Sequence, residues 1–311
     1  MKSKITLFLK GAAMGAADVV PGVSGGTIAF ITGIYERLIR AIKSVDFTTL
    51  QLLLKFRWKE FWQHIDGTFL VTLFAGILTS VALLSRIILY LLNNYSELLW
   101  SFFFGLIIAS ALLIAKKINK WSLPAVISFF IGASIAYYIT VATPGQTPEE
   151  IWFIFLSGAI AICAMILPGI SGSFILLLLG KYEFIMQAVK QFNIWVIAVF
   201  ATGCAFGLLS FSHILNFLLK KYHDLTVALL TGFMVGSLNK VWPWKQTVET
   251  FIDRHGVEKP LVQINISPLN YETITGHPAY LQWAVLLAIG GFALVYLIEK
   301  FSGHNTEPQG A

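Results

Sequence analysis

Residues Gly11–Lys43 read GAAMGAADVVPGVSGGTIAFITGIYERLIRAIK, and Gly158–Lys190 read GAIAICAMILPGISGSFILLLLGKYEFIMQAVK. Laid over each other without a gap, 13 of the 33 positions are identical. Shared apolar composition explains a few of these matches. It does not explain a common PG-x-SG, with Pro21, Gly22, Ser24 and Gly25 over Pro168, Gly169, Ser171 and Gly172. Nor does it explain a common glycine, Gly33 over Gly180, or a common Tyr-Glu, Tyr35-Glu36 over Tyr182-Glu183. Self-similarity of this kind marks an internal repeat. Weaker matches continue it: Gly76 with Gly203, Ser85 with Ser212, Arg86 with His213, Tyr95 with Tyr222, Gly105 with Gly232, Gly132 with Gly291 and Tyr137 with Tyr296. The chain is therefore expected to be one duplication, residues 1–145 and 146–311.

Composition sets the solvent. Of 311 residues, 57% are hydrophobic without counting glycine, and 12% are charged. A soluble domain carries about twice that share of charge. The mean hydropathy is +0.75. Such a chain has too few polar groups to cover a water-facing surface. An ordinary soluble enzyme, a disordered chain and a disulfide scaffold are excluded, and a helical integral membrane protein is left. The net charge of +6 then reports cytoplasmic loops, not a nucleic-acid surface. Cys163 and Cys204 lie in apolar runs and read as small packing residues. Lys10 cuts short the apolar run after Lys2 and Lys4, and the first block recurs in mid-chain, so that block reads as mature structure and not as a cleaved leader.

Crossing the hydrocarbon takes about 20 apolar residues. Spans are expected over 69–92, 98–115, 123–141, 194–219, 226–241 and 280–298. The repeated blocks differ. Gly11–Val20 and Thr27–Tyr35 are each too short to cross, and PGVSGG separates them; proline and clustered glycine break a helix. Lys2, Lys4 and Lys10 precede the first block, and Arg37, Arg40, Lys43, Lys55, Arg57 and Lys59 follow it. Positive charge favours the cytoplasm, so both flanks prefer one side. A re-entrant hairpin satisfies this, and hairpins are expected over 11–35 and 158–182. Segment 44–68 reads as an amphipathic helix on the cytoplasmic surface. Each half then holds one hairpin and three spans. An odd number of crossings inverts one half against the other, with both termini cytoplasmic and loop 242–278 outside. The expected fold is all-α, an inverted repeat of the kind used by secondary transporters.

The chemistry lies at the breaks. Ser24-Gly25-Gly26-Thr27 and Ser171-Gly172-Ser173 each open a new helix. Serine is a good N-cap, and glycine lets backbone approach a ligand. The first N–H groups of a helix lack partners and carry partial positive charge, so two such tips facing each other would suit a phosphate or carboxylate. Capping and close helix packing by small residues is the plainer reading of the same pattern. It is not a P-loop, because no Lys-Ser/Thr follows the glycines.

Ionisable groups at membrane depth are functional by default. Asp18, whose repeat mate is Met165, reads either as a site for a coupling proton or sodium ion or as a cap on the broken backbone. Arg86 reads as a phosphate ligand or as a snorkelling side chain. His213, at the matching place in the second half, reads as a group that titrates near neutral pH or as a structural histidine. Glu36 and Glu183, behind Tyr35 and Tyr182, read as gates or as interfacial anchors. No catalytic residue, metal site or cofactor is expected. Asn265-Ile266-Ser267 matches a glycosylation sequon, a short pattern that often arises by chance.

PGVSGGTIAF (Pro21–Phe30), its echo PGISGSFIL (Pro168–Leu176) and the Tyr-Glu after each resemble the bacterial polyprenyl-phosphate transporter family, PopT, long classed as a domain of unknown function. The resemblance covers essentially the whole chain. It implies a multi-pass protein of the bacterial cytoplasmic membrane that returns undecaprenyl phosphate, the lipid carrier of cell-wall and polysaccharide precursors, to the cytoplasmic leaflet. It also implies that the lipid phosphate sits at Pro21–Thr27 and Pro168–Ser173. Two rival classes remain. Undecaprenyl-diphosphate phosphatases use similar re-entrant repeats with a PG-x-SR-type loop, but Gly25 and Gly172 stand here where that Arg would be, and the paired glutamates of that enzyme are not evident in the hairpins. An anion channel needs a continuous aqueous pore instead of a lipid path.

Overall fold

The computed structural model describes residues 2–18, 24–142, 147–148, 150–252 and 258–303. In chain order, the first half contributes α1 (Lys2–Asp18), α2 (Gly25–Ile31), α3 (Tyr35–Lys43), α4 (Phe47–Leu54), α5 (Trp58–His64), α6 (Gly67–Asn94), α7 (Ser96–Ala115) and α8 (Leu123–Val141). The second contributes α9 (Ile151–Ile166), α10 (Gly172–Leu178), α11 (Tyr182–Lys190), α12 (Ile194–Lys221), α13 (His223–Ser237), β1 (Lys245–Ile252), β2 (Glu258–Asn265), α14 (Pro268–Thr275) and α15 (Leu281–Gly303). Four helices, α6, α7, α8 and α12, are long and apolar enough to cross a membrane, and α10 with α11 makes a pair bent by 108°. Leu123 and Tyr138 on α8 are each 73% exposed, a surface that lipid tolerates and water does not. The chain is a mainly helical, multi-pass membrane protein.

Four helix pairs hold the bundle, and glycine brings each together. A Cβ on Gly11 would lie 2.2 Å from the Leu73 carbonyl oxygen, and one on Gly15 would lie 2.4 Å from that of Ile77. The contacts advance together along both helices, so α1 and α6 run parallel. Between α9 and α12, Gly158 meets Phe200, while Gly203 and Gly207 meet Phe155 and Ala159. Between α8 and α13, Gly232 meets Phe129 and Gly236 meets Ala133, so this pair and α9–α12 also run parallel; between α7 and α15, Gly105 meets Ala288 and Gly291 meets Phe102. Lipid tails are as apolar as leucine, so helices in a membrane associate through close backbone packing, which small residues permit.

Repeat mates share backbone conformation. Tyr95 joins α6 to α7 at φ −145°, ψ 47°, and Tyr222 joins α12 to α13 at φ −129°, ψ 50°. Ser24 and Ser171 cap α2 and α10 from the same extended region. Gly33 (φ 72°) and Gly180 (φ 62°) turn the chain after each short helix in the left-handed region that glycine enters without strain.

Three expectations are corrected. The first block becomes helical at Lys2, well before Gly11, because nothing in Lys2–Lys10 breaks a helix. Segment 44–68 forms two short helices, not one: Phe56 takes a left-handed conformation (φ 54°) and separates α4 from α5. Both pieces still present Phe47, Leu54, Trp58 and Trp62 outward. The described residues of loop 242–278 are structured and not helical throughout. Its antiparallel β1–β2 hairpin pairs Lys245 with Asn265. Trp242 Nε1 donates to the Ile266 carbonyl (3.0 Å), Trp244 Nε1 to that of Ala279 (2.8 Å), and the Tyr271 hydroxyl to Glu97 on α7. Buried indoles and phenols seek such partners, and these pin the hairpin to the helix ends.

Candidate functional site: two broken-helix tips in contact

The two breaks meet. Ser24 is 1% exposed, and its hydroxyl works in two directions. It accepts from Gly26 N at 3.1 Å, capping α2. It also donates towards the carbonyls of Met165 (3.1 Å) and Leu167 (3.4 Å). The Tyr35 hydroxyl donates to the Ile166 carbonyl at 3.1 Å, and Gly169 N donates to Thr27 Oγ1 at 3.0 Å. The last carbonyls of a helix have no intrahelical partner. Here side chains of the first half satisfy those of α9. Gly26 is required for the approach, since a Cβ there would lie 2.7 Å from the Ile166 carbonyl oxygen.

The tips are not equivalent. The Asp18 carboxylate accepts from Gly25 N at 2.7 Å, so the start of α2 already holds an anion, one supplied by the chain. A Cβ on Gly25 would lie 2.5 Å from that carboxylate, which is why glycine stands there. At α10 the mate of Asp18 is Met165. Ser171 makes no side-chain cap bond, and its hydroxyl lies 2.9 Å from that of Ser173. The N–H groups of Gly172 and Ser173 have no partner among the described residues. Pro168, Gly169 and Gly172 are buried; Ser171 is half-buried and Ser173 exposed. Pro21 and Gly22 lie outside the described residues.

Asp18→Ala is expected to destabilise the protein by about 1–2 kcal/mol, the usual cost of losing a helix cap. Asp18→Asn keeps an acceptor for Gly25 N–H and should lose less. Thermal unfolding of the detergent-solubilised variants measures the difference, and equal loss in both would refute the capping role.

The remaining candidates are not gathered at the tips. Arg86 on α6 and His213 on α12 are exposed. His213 Nδ1 lies 2.8 Å from the Leu209 carbonyl of its own helix. Glu36 is exposed and paired with Arg40 at 3.6 Å. Glu183 is half-buried, and Tyr182 is 36% exposed where its mate Tyr35 is 3% exposed. Repeat mates at the Tyr-Glu therefore do different work. Cys163 and Cys204 are free thiols at the α9–α12 crossing, directed at the Gly207 and Gly158 carbonyls. The Asn265 amide of the sequon donates to Asn239.

Sequence reasoning missed three lysines. Lys181, the mate of Ile34, is 1% exposed; its ammonium donates to the Thr147 carbonyl (2.8 Å) and lies between the rings of Phe153 and Phe184. Its departure from the repeat is the signal that would have found it. Lys240 sits 4.2 Å from the centre of the Phe174 ring, on the first turn of α10, and Lys245 sits 4.1 Å from the centre of the Trp100 ring. Both lie in or beside the long loop, where a lysine in the sequence looks like any solvated charge.

Two relatives of known name are similar over most of their length. The polyprenyl-phosphate transporter of Vibrio cholerae is 47% identical over 303 residues, covering 96% of this chain and 97% of the relative. That of Staphylococcus aureus is 33% identical over 253 residues, covering 76% of this chain and 85% of the relative. No solved structure matches the chain. Residues 14–259, which include both tips, match the VCA0040-like family, described as undecaprenyl phosphate translocase-like, and the chain belongs to that family.

Proposed function

We propose that this protein carries undecaprenyl phosphate across the bacterial cytoplasmic membrane to recycle the lipid carrier, and that it does so as a transporter, not as an enzyme or a channel. The observation that carries the reading is the contact between tips. Two Pro-Gly-broken segments, 147 residues apart in sequence, meet through hydrogen bonds from Ser24, Tyr35 and Gly169. Family membership and the names of both relatives support the substrate.

The inverted arrangement of the halves is part of this proposal, and the parallel pairs support it. Consecutive spans alternate in direction. If α6 runs outward, then α7 runs inward and α8 outward. The partner of α8, α13, then runs outward and α12 inward. Since α1 runs with α6 and α9 with α12, the two hairpins enter from opposite faces. Both termini are then cytoplasmic and the β1–β2 hairpin is external.

The headgroup would be held where the tips meet, chiefly at Ser171, Gly172 and Ser173, whose N–H and hydroxyl groups are not spent on the other tip. In hydrocarbon, helix N-termini and hydroxyls hold an anion at less cost than a buried lone cation would impose. Asp18 is the group on which a coupling proton or sodium ion would act: neutralising it would free Gly25 N–H for the phosphate. Alternating exposure of the tips to each leaflet would move the head, while the isoprenoid tail stays in lipid. Hydrolysis is disfavoured because Asp18 is spent on backbone and glycine follows both Ser24 and Ser171, so neither a free Asp18 carboxylate nor an arginine after either serine is available there.

Purified protein in liposomes containing a short-chain polyprenyl phosphate tests the reading. Loss of phosphate from the outer leaflet without release of free phosphate is expected. Free phosphate would instead show an enzyme, and anion current without lipid movement a channel.

A further inference from the structure

Two cavities adjoin beneath the β1–β2 hairpin. One, of about 340 Å³, is lined by Lys240, Lys245, Asn239, Thr140 and Phe174. The other, of about 850 Å³, is bounded chiefly by Phe104, Ala133, Tyr138 and Trp242. They share Tyr137, Val141, Asn239 and Asn265 along their common edge. The first is polar and basic, the second apolar and open at the side of α8, whose Tyr138 faces outward.

The charge in the smaller cavity is unbalanced. Among the described residues, neither ammonium has a carboxylate within 4.0 Å. Lys245 donates to the Lys240 carbonyl at 2.5 Å. Among the described residues, the Lys240 ammonium has the Phe174 ring beneath it and no hydrogen-bond partner. Burial, and then the neighbouring Lys240, hold Lys245 well below the usual lysine range, and burial also lowers Lys240. Two cations brought together in a half-buried cleft without a counter-ion favour an anion between them. Phe174 belongs to the first turn of α10, so an anion held at Lys240 stands next to the tip with free N–H groups.

We propose that the Lys240–Lys245 cleft and the apolar groove beside it form a docking site for a phosphate monoester lipid, with the headgroup on the lysines and the isoprenoid chain along Tyr138 and Phe104, from which the head passes to the α10 tip. This inference rests on the transport reading and the external position of the hairpin. The apolar groove selects the lipid over free phosphate: inorganic phosphate satisfies the lysines but leaves the groove empty.

Farnesyl phosphate binding to the purified full-length protein tests this, with methyl phosphate as the same headgroup without a chain. Lys240→Gln is expected to weaken farnesyl phosphate binding at least about tenfold, and Lys240→Arg to restore most of it. Among the described residues Lys240 makes no hydrogen bond through its ammonium, so the variant should fold, which an unchanged unfolding midpoint verifies. Methyl phosphate should bind at least about tenfold more weakly than farnesyl phosphate, since apolar burial adds to the headgroup contacts. Unchanged affinity in Lys240→Gln, or equal affinity for the two ligands, would overturn the proposal. In liposomes the same variant should raise the half-saturating lipid concentration. Wild-type protein that moves lipid alongside a Lys240→Gln variant with the same half-saturation overturns the docking site alone. Wild-type protein that moves no lipid overturns the transport reading instead.

Discussion

Gly291→Leu is expected to leave little extractable folded protein, while Gly290→Leu, one residue earlier on α15, is expected to be tolerated. A Cβ on Gly291 would lie 2.1 Å from the Phe102 carbonyl oxygen of α7, whereas one on Gly290 meets nothing within 4 Å. The obstruction at Gly291 is backbone, which no rotamer change relieves. Overpacking usually costs 1–3 kcal/mol, and a clash between two helix backbones belongs at or above about 3 kcal/mol by the same reasoning. At Gly290 the added side chain faces lipid, and leucine is a better helix former than glycine by up to about 1 kcal/mol. The yield of monodisperse protein and its unfolding midpoint in detergent compare the pair. Similar behaviour of the two variants would mean that the α7–α15 crossing does not hold the bundle.

Ser171→Trp is expected to lower lipid movement in liposomes by roughly a hundredfold, about 2.8 kcal/mol if read as lost binding, with the unfolding midpoint near wild type. Ser171 is half-buried and makes no cap bond to backbone, and its extended φ and ψ suit tryptophan. The indole would fill the space in front of Gly172 and Ser173. The matching change at Ser24 is a poor test. Ser24 is fully enclosed and bonded to α2 and α9, so Ser24→Trp would cost the fold before it reported on transport. Wild-type lipid movement in a folded Ser171→Trp protein would sink the assignment of the headgroup to the α10 tip. The two changes are not equivalent although the two serines are repeat mates, and the difference traces to one residue. Asp18 fills the start of α2, and Met165, its mate, leaves the start of α10 open.

The sequence by itself determined a great deal. Charge at 12% and hydrophobic content at 57% decide the solvent, because backbone polar groups in lipid must be satisfied within helices or barrels. The repeated PG-x-SG marks both breaks, since proline and glycine cannot continue a helix at those points. Gly33 and Gly180, identical in the repeat, both turn the chain in the left-handed region, which glycine enters without strain. These are local consequences of residue type, and local rules read them.

The tertiary structure decided the rest, since it depends on which groups meet across the fold. That Ser24 caps α9 as well as α2, and that Tyr35 is buried while Tyr182 is exposed, follow from how the two tips dock. No spacing in the chain encodes them. The same holds for Lys240 and Lys245. In sequence they are two charges near a tryptophan-rich loop; in space the β1–β2 hairpin and α10 enclose them together, with no carboxylate beside either among the described residues. A cation's meaning depends on the counter-charge around it, and only the folded chain settles where that counter-charge is missing.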